Sequence, residues 1–395
     1  MSVDKRHNMA HSMLFSLSIL CLVVLLFIFL LKRLKQPYLI AYVLAGIILG
    51  PHVTSVFTDT ATIDSLGEVG IILLMFFLGL EIKIPDATSL LFQPLIAQAI
   101  KTLLSILVAM VAGWWLHWGA ANIFLLAVIL MFNSTAVVSD YLQKNGELKS
   151  NPGTVILNML LLQDILLAPV LTVFQFLQHK NPDVVRLGLA LGSSVLIFFL
   201  MRATRNKDIF RLPFSIDISN DHDLQVFAGA VLCFGCGLLA EAAGLTPSIG
   251  AFFAGVFMSR TGTLAWLDKT LHPFKVFFTA VFFVSIGLRI DIRFIAGHPL
   301  FAVGVTSVVI IINCIFSAAV FRLLRYPRRT SLYAGALLSQ SGEFSVLACA
   351  TAFQLHMIDA SFYKLALTTA CLTLLFATAW INFLQKAIYG AGNRL

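Results

Sequence analysis

A carboxylate and an amide stand side by side in the middle of a long apolar run. Gln163 and Asp164 lie within residues 152–178, a stretch long and apolar enough to cross a bilayer. Asp164 follows Pro152 by twelve residues, roughly 18 Å along a helix and near the middle of a hydrocarbon layer of about 30 Å. A charge at that depth costs about 2.5–3.5 kcal/mol on insertion scales. The position indicates an ion or proton site, and an Asp hydrogen-bonded to a neighbouring helix is the structural alternative.

Polar residues also cluster in the middle of two further apolar runs. They are Asn133, Ser134 and Thr135 in residues 120–142, and Ser341 and Glu343, with Gly342 between them, in residues 330–354. Such interruptions predict two broken helices that cross and offer freed carbonyls to a cation near Asp164. We expect Gln163, Asn133, Ser134 and Thr135 to add neutral oxygens to a monovalent-cation site at Asp164. For the hydroxyls, bonding to the preceding helical turn is the alternative.

Three residues are candidates for a supporting role around this site. Glu343 is expected to orient the crossing or to neutralise helix ends, with Ser341 beside it. Lys101 lies seven residues past Pro94 in an apolar run. Two interpretations of Lys101 stay open, snorkelling to the membrane surface or an internal pair with Asp164 or Glu343.

Composition defines the class of protein. The chain has 395 residues, of which 59% are hydrophobic and 12% charged, and the mean hydropathy is +0.92. These values describe a polytopic membrane protein whose surroundings are the lipid bilayer. The net charge of +8 is expected to collect in cytoplasmic loops, so no nucleic-acid partner is predicted. The sequence has no H-E-x-x-H, no P-loop and no convincing nucleophile, so we expect neither an enzyme nor a cofactor besides transported ions.

The hydropathy pattern predicts an all-α membrane protein with thirteen transmembrane helices. The predicted segments are 12–31, 37–50, 66–82, 94–116, 120–142, 152–178, 186–202, 222–243, 246–259, 271–288, 298–321, 330–354 and 360–386. With the N-terminus outside, eighteen Lys and Arg residues fall in inner loops and seven in outer segments. The positive-inside rule therefore predicts an outer N-terminus and a cytoplasmic C-terminus.

The two halves of the chain resemble each other. Residues 37–46 (PYLIAYVLAG) echo residues 247–255 (PSIGAFFAG), and GLEIKI from Gly79 echoes GLRIDI from Gly287. The offset spans seven predicted helices, an odd number, so the second copy must be inverted in the membrane. We therefore predict one transmembrane domain, with a first repeat at about 12–178, a linker helix at 186–202 and a second, inverted six-helix repeat at 222–386.

Five motifs resemble the cation:proton antiporter-2 family, close to its Kef-type potassium efflux branch. They are LLQDILLAP around Asp164, NSTAVVSD from Asn133, GEVGIILLMFFLGLEI from Gly67, PFKVFFTAVFFVSIGLRIDI from Pro273 and SQSGEF from Ser339. The resemblance implies a sodium/proton-antiporter-like fold, a homodimer, and a core of helices four to six and eleven to thirteen that moves against a scaffold. It favours K⁺, leaves Na⁺ open, and suggests a bacterial inner membrane.

The resemblance covers the membrane domain only. Kef-type antiporters usually carry a cytoplasmic nucleotide-binding regulatory domain after the last helix, whereas this sequence stops at Leu395. We expect no such domain here, and a separate regulatory subunit stays open.

These observations lead to a hypothesis of one-site competition, in which Asp164 binds either a proton or a monovalent cation. A Gln before the Asp offers no second titrating carboxylate, which suggests one proton per cation. The alternatives are a cation channel on the same scaffold and a membrane-embedded ion sensor or subunit that moves no ion.

Overall fold

The computed structural model describes residues 3–34, 36, 38–57, 60–81, 89–178, 222–242, 247–259, 267–290 and 292–390. Within these ranges the regular secondary structure consists of fifteen helices. They are α1 (Val3–Arg33), α2 (Tyr38–Leu49), α3 (Thr60–Glu81), α4 (Ser89–Trp115), α5 (Ala120–Met131), α6 (Thr135–Lys144), α7 (Asn151–Gln178), α8 (His222–Ala242), α9 (Pro247–Ser259), α10 (Leu267–Arg289), α11 (Ile292–Gly297), α12 (Pro299–Leu323), α13 (Arg328–Leu337), α14 (Glu343–Gln354) and α15 (Ala360–Tyr389).

Twelve of the thirteen predicted segments coincide with helices of the structure. The thirteenth, the linker helix at 186–202, lies outside the described residues. Helix α1 begins at Val3, nine residues before the predicted start, because the polar residues ahead of the apolar run continue the same helix. The short helix α11 was not predicted; six residues are too few to show a hydrophobic period.

The two predicted helix breaks are present. The run 120–142 divides into α5 and α6, which are separated by residues 132–134. The run 330–354 divides into α13 and α14, which are separated by residues 338–342. The extended backbone at each break exposes amides and carbonyls that an uninterrupted helix would pair internally. Both breaks lie in the buried interior of the protein, as membrane proteins require of non-helical backbone.

Four glycines let two pairs of helices approach to backbone contact. At the crossing of α2 and α10, a Cβ on Gly46 would lie 2.3 Å from the carbonyl oxygen of Val284. At the crossing of α3 and α9, a Cβ on Gly255 would lie 2.0 Å from the carbonyl oxygen of Phe76. The facing residues are Gly287 and Gly79, whose own added Cβ atoms would clash in the same way. Small residues at such crossings allow close packing without a side-chain layer.

The two glycine crossings are related by the sequence repeat. Gly46 and Gly255 are 209 residues apart, and Gly79 and Gly287 are 208 apart. The offset therefore carries Gly46 of the first crossing to Gly255 of the second, and Gly79 of the second crossing to Gly287 of the first. This exchange supports the predicted internal repeat, whose inverted orientation in the membrane stays a prediction.

Among the described residues, five helical stretches have the length and apolar composition needed to cross a membrane. They are Phe15–Arg33, Phe92–Trp115, Asn151–Phe174, Pro299–Leu323 and Ala360–Tyr389. The largest buried apolar cluster extends from Tyr42 of α2 to Ala370 of α15 and includes Phe132 and Phe344 beside the two breaks. The rings of these two phenylalanines meet edge to face at 5.8 Å. The crossing is thus held in packed, apolar surroundings.

Candidate ion site at the crossing of two interrupted helices

The two helix breaks touch each other through their backbones. The N–H of Gly342 donates to the carbonyl oxygen of Phe132 at 3.1 Å. The hydroxyl of Ser341 donates to the carbonyl oxygen of Ile129 at 2.9 Å, which satisfies a carbonyl in the last turn of α5. A Cβ on Gly342 would lie 2.5 Å from the carbonyl carbon and oxygen of Asn133. Glycine is therefore required at position 342 for the breaks to approach this closely.

Asn133 makes polar contacts with the break between α13 and α14 and with α7 at the crossing. Its Nδ2 donates to the carbonyl oxygens of Leu338 and Gln340, at 2.9 and 2.7 Å. Its backbone N–H donates to Oε1 of Gln163 at 2.8 Å, and its Oδ1 accepts from Nε2 of Gln163 at 3.3 Å. Asn133 thereby joins the end of α5 to the end of α13 and to the middle of α7. Asn133 and Gln163 are both fully buried.

Lys101 enters this network from α4. Its amino group donates a hydrogen bond to Oδ1 of Asn133, and the side chain is 0% exposed. The snorkelling interpretation of Lys101 is therefore wrong, because the amino group points into the crossing and not to a membrane surface. The contact with Asn133 is to a neutral amide, whereas the sequence had suggested Asp164 or Glu343 as partner.

Thr135 and Asp164 lie at the accessible edge of the same crossing. The Thr135 hydroxyl donates to Oδ1 of Asp164 at 3.3 Å. Both side chains are partly exposed, whereas Gln163, next to Asp164 in the chain, is buried. Pro169 lacks an N–H, so the carbonyl of Ile165 loses its usual helical donor one residue after Asp164. A hydroxyl and a carboxylate are thus bonded to each other at partly exposed residues, and a carbonyl without its helical donor follows one residue later in the chain.

Ser134 and Glu343 lie at the starts of the two helices that leave the crossing. Ser134 is the N-cap of α6, and its hydroxyl accepts the N–H of Val137 at 3.3 Å. Glu343 is the first residue of α14 and is partly exposed. The N-terminal end of α6 therefore faces Asp164 through Thr135, and the N-terminal end of α14 carries Glu343. Carboxylates at helix N-termini are electrostatically favourable.

The structure brings the predicted residues together through contacts that the sequence did not indicate. Gln98 of α4 accepts a hydrogen bond from Nε2 of Gln163 at 2.9 Å. Thr373 of α15 accepts one from the N–H of Ser341 at 3.1 Å. Gln98 stands three residues before Lys101, on the same helical face, which is the signal that would have found it. For Thr373 no comparable signal exists, since single threonines are common in membrane helices.

A second polar cluster joins the loop between α6 and α7 to α13. The hydroxyl of Tyr333 donates to Oε2 of Glu147 at 2.8 Å, and Nδ2 of Asn145 lies 3.5 Å from the same hydroxyl. Burial raises the pKa of the Glu147 carboxyl above its usual range, and the hydrogen bond from Tyr333 offsets part of that effect. This cluster ties the loop that precedes α7 to α13.

Comparison with known proteins places this geometry in context. Residues 19–387 match the sequence profile described as "Sodium/hydrogen exchanger, transmembrane". The solved structure of the sodium proton antiporter MjNhaP1 from Methanocaldococcus jannaschii at pH 8 superposes with a TM-score of 0.69 at 14% identity, covering 95% of this chain and 98% of that one. At that identity the superposition shows the fold alone, an all-helical membrane protein with the NhaP1 architecture.

Two curated relatives are similar over most of this chain. The iron transporter MagA of Paramagnetospirillum magneticum is 27% identical over 357 residues, which are 90% of this chain and 81% of the relative. The K(+) efflux antiporter 5 of Arabidopsis thaliana is 28% identical over 366 residues, which are 90% of this chain and 63% of the relative. Glutathione-regulated potassium-efflux system proteins are also similar, and the chain spans about three fifths of the length of these potassium-efflux relatives.

Proposed function

Because this chain belongs to the sodium/hydrogen exchanger family, a family of transporters rather than enzymes, we propose that it exchanges a monovalent cation for a proton at Asp164. The proton and the cation compete for the carboxylate, so that each excludes the other. Alternating access to the two sides of the membrane then couples their flows. We propose K⁺ as the preferred cation, since several relatives are named potassium efflux antiporters.

The observation that carries this proposal is the partly exposed Thr135–Asp164 pair at the edge of a buried crossing. Thr135 reaches Oδ1 of Asp164 at 3.3 Å, and both side chains have accessible surface. The polar residues behind them are buried and already hydrogen-bonded to one another. An ion that arrives along the accessible surface therefore meets one carboxylate and one hydroxyl first.

The available oxygens suit a partly dehydrated alkali cation. We assign Asp164, the Thr135 hydroxyl and the Ile165 carbonyl to direct contact with the ion. Asn133 and Gln163 position these ligands, because their side chains already bind each other and the ends of α5 and α13. Freed carbonyls at interrupted helices are the usual cation ligands in transporters of this kind.

The dipole of helix α6 favours the charged, unprotonated form of Asp164. The N-terminal end of α6 begins at Thr135, and N-terminal amides stabilise a nearby carboxylate. Removal of water from the carboxylate acts in the opposite direction and favours its neutral form. Competition between a proton and a cation requires these two effects to be of similar size, so that a change of a few kcal/mol in binding decides the occupant.

We further propose that the crossing moves as one body. The core comprises α4–α7 and α12–α15, and the scaffold comprises α1–α3 and α8–α10. The glycine crossings of α2 with α10 and of α3 with α9 support a rigid scaffold. The hydrogen bonds between the two helix breaks likewise support a rigid core. A homodimer built on the scaffold, an outer N-terminus and a cytoplasmic C-terminus complete the proposal.

The test uses purified protein in proteoliposomes that contain a pH-sensitive dye. A proton gradient is imposed, and K⁺, Na⁺ or Li⁺ is then added to wild type, Asp164→Asn and Asp359→Asn. Asp359 is an exposed N-cap of α15 and gives a matched control for the loss of a carboxylate. Cation-dependent dequenching in wild type and Asp359→Asn, and none in Asp164→Asn, is expected. Exchange by a folded Asp164→Asn protein at the wild-type rate would refute the assignment.

The same preparation separates the two alternatives. A channel would pass cations without moving protons and would show little saturation. A sensor or subunit would bind the ion, seen as thermal stabilisation by K⁺, and would show no flux. Saturable flux of both ions in opposite directions is expected only of an exchanger.

A further inference from the structure

Lys101 places a fully buried amino group at the crossing of the two interrupted helices. The side chain is 0% exposed, and it donates to Oδ1 of Asn133. Its neighbours on the same face of α4, Gln98 and Ser105, are also buried. A charged amino group in a membrane segment costs several kcal/mol unless its surroundings stabilise the charge.

Lys101 is linked to the C-terminal ends of two helices through the side chain of Asn133. Helix α5 ends at Met131 and α13 ends at Leu337, and the last carbonyls of a helix carry about half a negative charge. The amide of Asn133 donates to the carbonyls of Leu338 and Gln340, which turns its Oδ1 toward the amino group. The Asn133 side chain therefore connects the Lys101 charge to both helix ends.

The opposite ends of the crossing have the opposite charge. Helices α6 and α14 begin there, with Asp164 beside the start of α6 and Glu343 in the first turn of α14. Cations near helix C-termini and carboxylates near N-termini each stabilise the arrangement. Lys101, which is bonded to Asn133 just after the end of α5, thus adds a positive side chain to a crossing whose helix N-terminal ends carry carboxylates.

We propose that the Lys101 ammonium is a fixed internal cation, which stays protonated through the transport cycle, locks the crossing through Asn133, and sets the pH range of exchange at Asp164. This inference rests on the proposed exchange at Asp164. Lys101 is a positioning residue, since it acts on the ion site through Asn133 and Gln163 and through its field. Oδ1 of Asn133 accepts from both Lys101 and Gln163, and Gln163 is the residue before Asp164.

The field of Lys101 has a definite sign. A positive charge near a carboxylate disfavours its protonation, so removing the charge lets Asp164 hold a proton at higher pH. The midpoint of the activity–pH curve should then move to higher pH by about one unit. A purely structural role for Lys101 would lower the rate and leave this midpoint in place.

Four variants test the proposal in proteoliposomes. Lys101→Arg keeps a charge that cannot be released as a proton. Lys101→Gln keeps a donor for Asn133 without the charge, and Lys101→Met removes both. Lys149→Met removes an exposed lysine as the matched control. The readouts are the pH midpoint, the H⁺-to-cation ratio from the gradient at which net flux vanishes, and thermal unfolding in detergent.

Lys101→Arg is expected to exchange more slowly with the wild-type midpoint and ratio, because the charge is kept. Lys101→Gln is expected to keep the ratio and to shift the midpoint to higher pH. An altered H⁺-to-cation ratio in Lys101→Arg would overturn the proposal, since it would make Lys101 a proton carrier. A wild-type midpoint in folded Lys101→Gln would also overturn it. If Lys101→Met does not fold, the other two variants still decide.

Failure of this inference is distinguishable from failure of the proposed function. If Asp164→Asn still exchanges, Asp164 is not the site, whatever the Lys101 variants do. If Asp164→Asn is inactive and Lys101→Gln keeps the wild-type midpoint, only the role of Lys101 is refuted.

Discussion

The hydroxyl of Thr135 lies 3.3 Å from Oδ1 of Asp164, and this hydrogen bond joins the first residue of α6 to the middle of α7. Through this contact the interrupted helix α5–α6 reaches the Asp164 carboxylate at partly exposed residues. The hydroxyl donates its hydrogen to Asp164, and in the proposed site its oxygen would face the bound cation. Thr135 is therefore expected to affect cation affinity more than protein stability.

Replacing Thr135 tests this role. Thr135→Val keeps the shape and removes the hydroxyl, and Thr135→Ser keeps the hydroxyl. The apparent KM for K⁺ should rise about 3–10-fold in Thr135→Val, the size expected for one lost hydrogen-bonding group of about 0.5–1.5 kcal/mol. Thr135→Ser should stay within about twofold of wild type. Equal KM values in Thr135→Val and wild type, measured by K⁺ titration of dye dequenching, would exclude Thr135 from the site.

Gly342 tests the contact between the two helix breaks. A methyl group at Gly342 would lie 2.5 Å from backbone atoms of Asn133 and 2.8 Å from the N of Ser134, so the two breaks would have to separate. Gly342→Ala should lower stability by about 1–3 kcal/mol and abolish exchange. Gly304→Ala in α12, where an added Cβ meets nothing within 4 Å, is the control. A Gly342→Ala protein with wild-type melting temperature and flux would contradict the crossing geometry.

The glycine crossings test the internal repeat. Gly46 and Gly255 are equivalent positions of the predicted repeat, and a Cβ on either would overlap a carbonyl oxygen of the facing helix. Gly46→Ala and Gly255→Ala should therefore destabilise the protein by similar amounts, about 1–3 kcal/mol each. Gly235→Ala, which meets nothing within 4 Å, should be neutral in the same thermal unfolding measurement. A large loss in one variant and none in its counterpart would argue against equivalent crossings.

Glu147 gives a pH dependence whose sign follows from its surroundings. Burial raises the pKa of its carboxyl above the ordinary value of 4.5. A group with a raised pKa contributes stability that is present below its ordinary pKa and is lost as pH rises through the raised value. Glu147→Gln, which removes the charge, should therefore raise the melting temperature at pH 7, and the difference should vanish toward pH 4.

A second variant tests the hydrogen-bond donor of Glu147. Tyr333→Phe removes the hydroxyl that donates to Oε2 of Glu147 at 2.8 Å. Its melting temperature should fall at pH 7, because the partly buried carboxylate loses its donor. The Glu147→Gln prediction would be contradicted by a melting temperature below that of wild type at pH 7. The hydrogen bond from Tyr333 would then stabilise the Glu147 carboxylate by more than its burial costs.

The sequence predicted the helix breaks because polar residues are costly in the middle of an apolar membrane segment unless they serve a break or a site. Asn133, Ser134 and Thr135 marked the first break, and Ser341 and Glu343 marked the second. The sequence also indicated that Asp164 and Thr135 lie close together, since both were expected near the middle of the membrane. The direct-contact and positioning roles of these residues stay predictions until flux is measured.

The partners of individual side chains were beyond sequence reasoning. The contact of Lys101 with Asn133 depends on how α4 packs on α5, and the cap formed by Ser134 depends on where α6 begins. Both follow from distances of a few ångström between helices, which apolar periodicity does not determine. The spacing of Gln98 from Lys101 placed both on one helical face, but its partner Gln163 on α7 could not be read from that spacing.

The most direct test of one-site competition is the apparent KM for K⁺ as a function of the pH on the side to which K⁺ is added, with the pH on the other side held constant, measured in proteoliposomes at saturating and limiting K⁺. If one proton and one cation compete for Asp164, the maximal rate stays constant while the KM rises about tenfold for each unit of falling pH in the acidic range. A maximal rate that falls with pH while the KM stays constant would contradict the account, because the proton would then act at a different site.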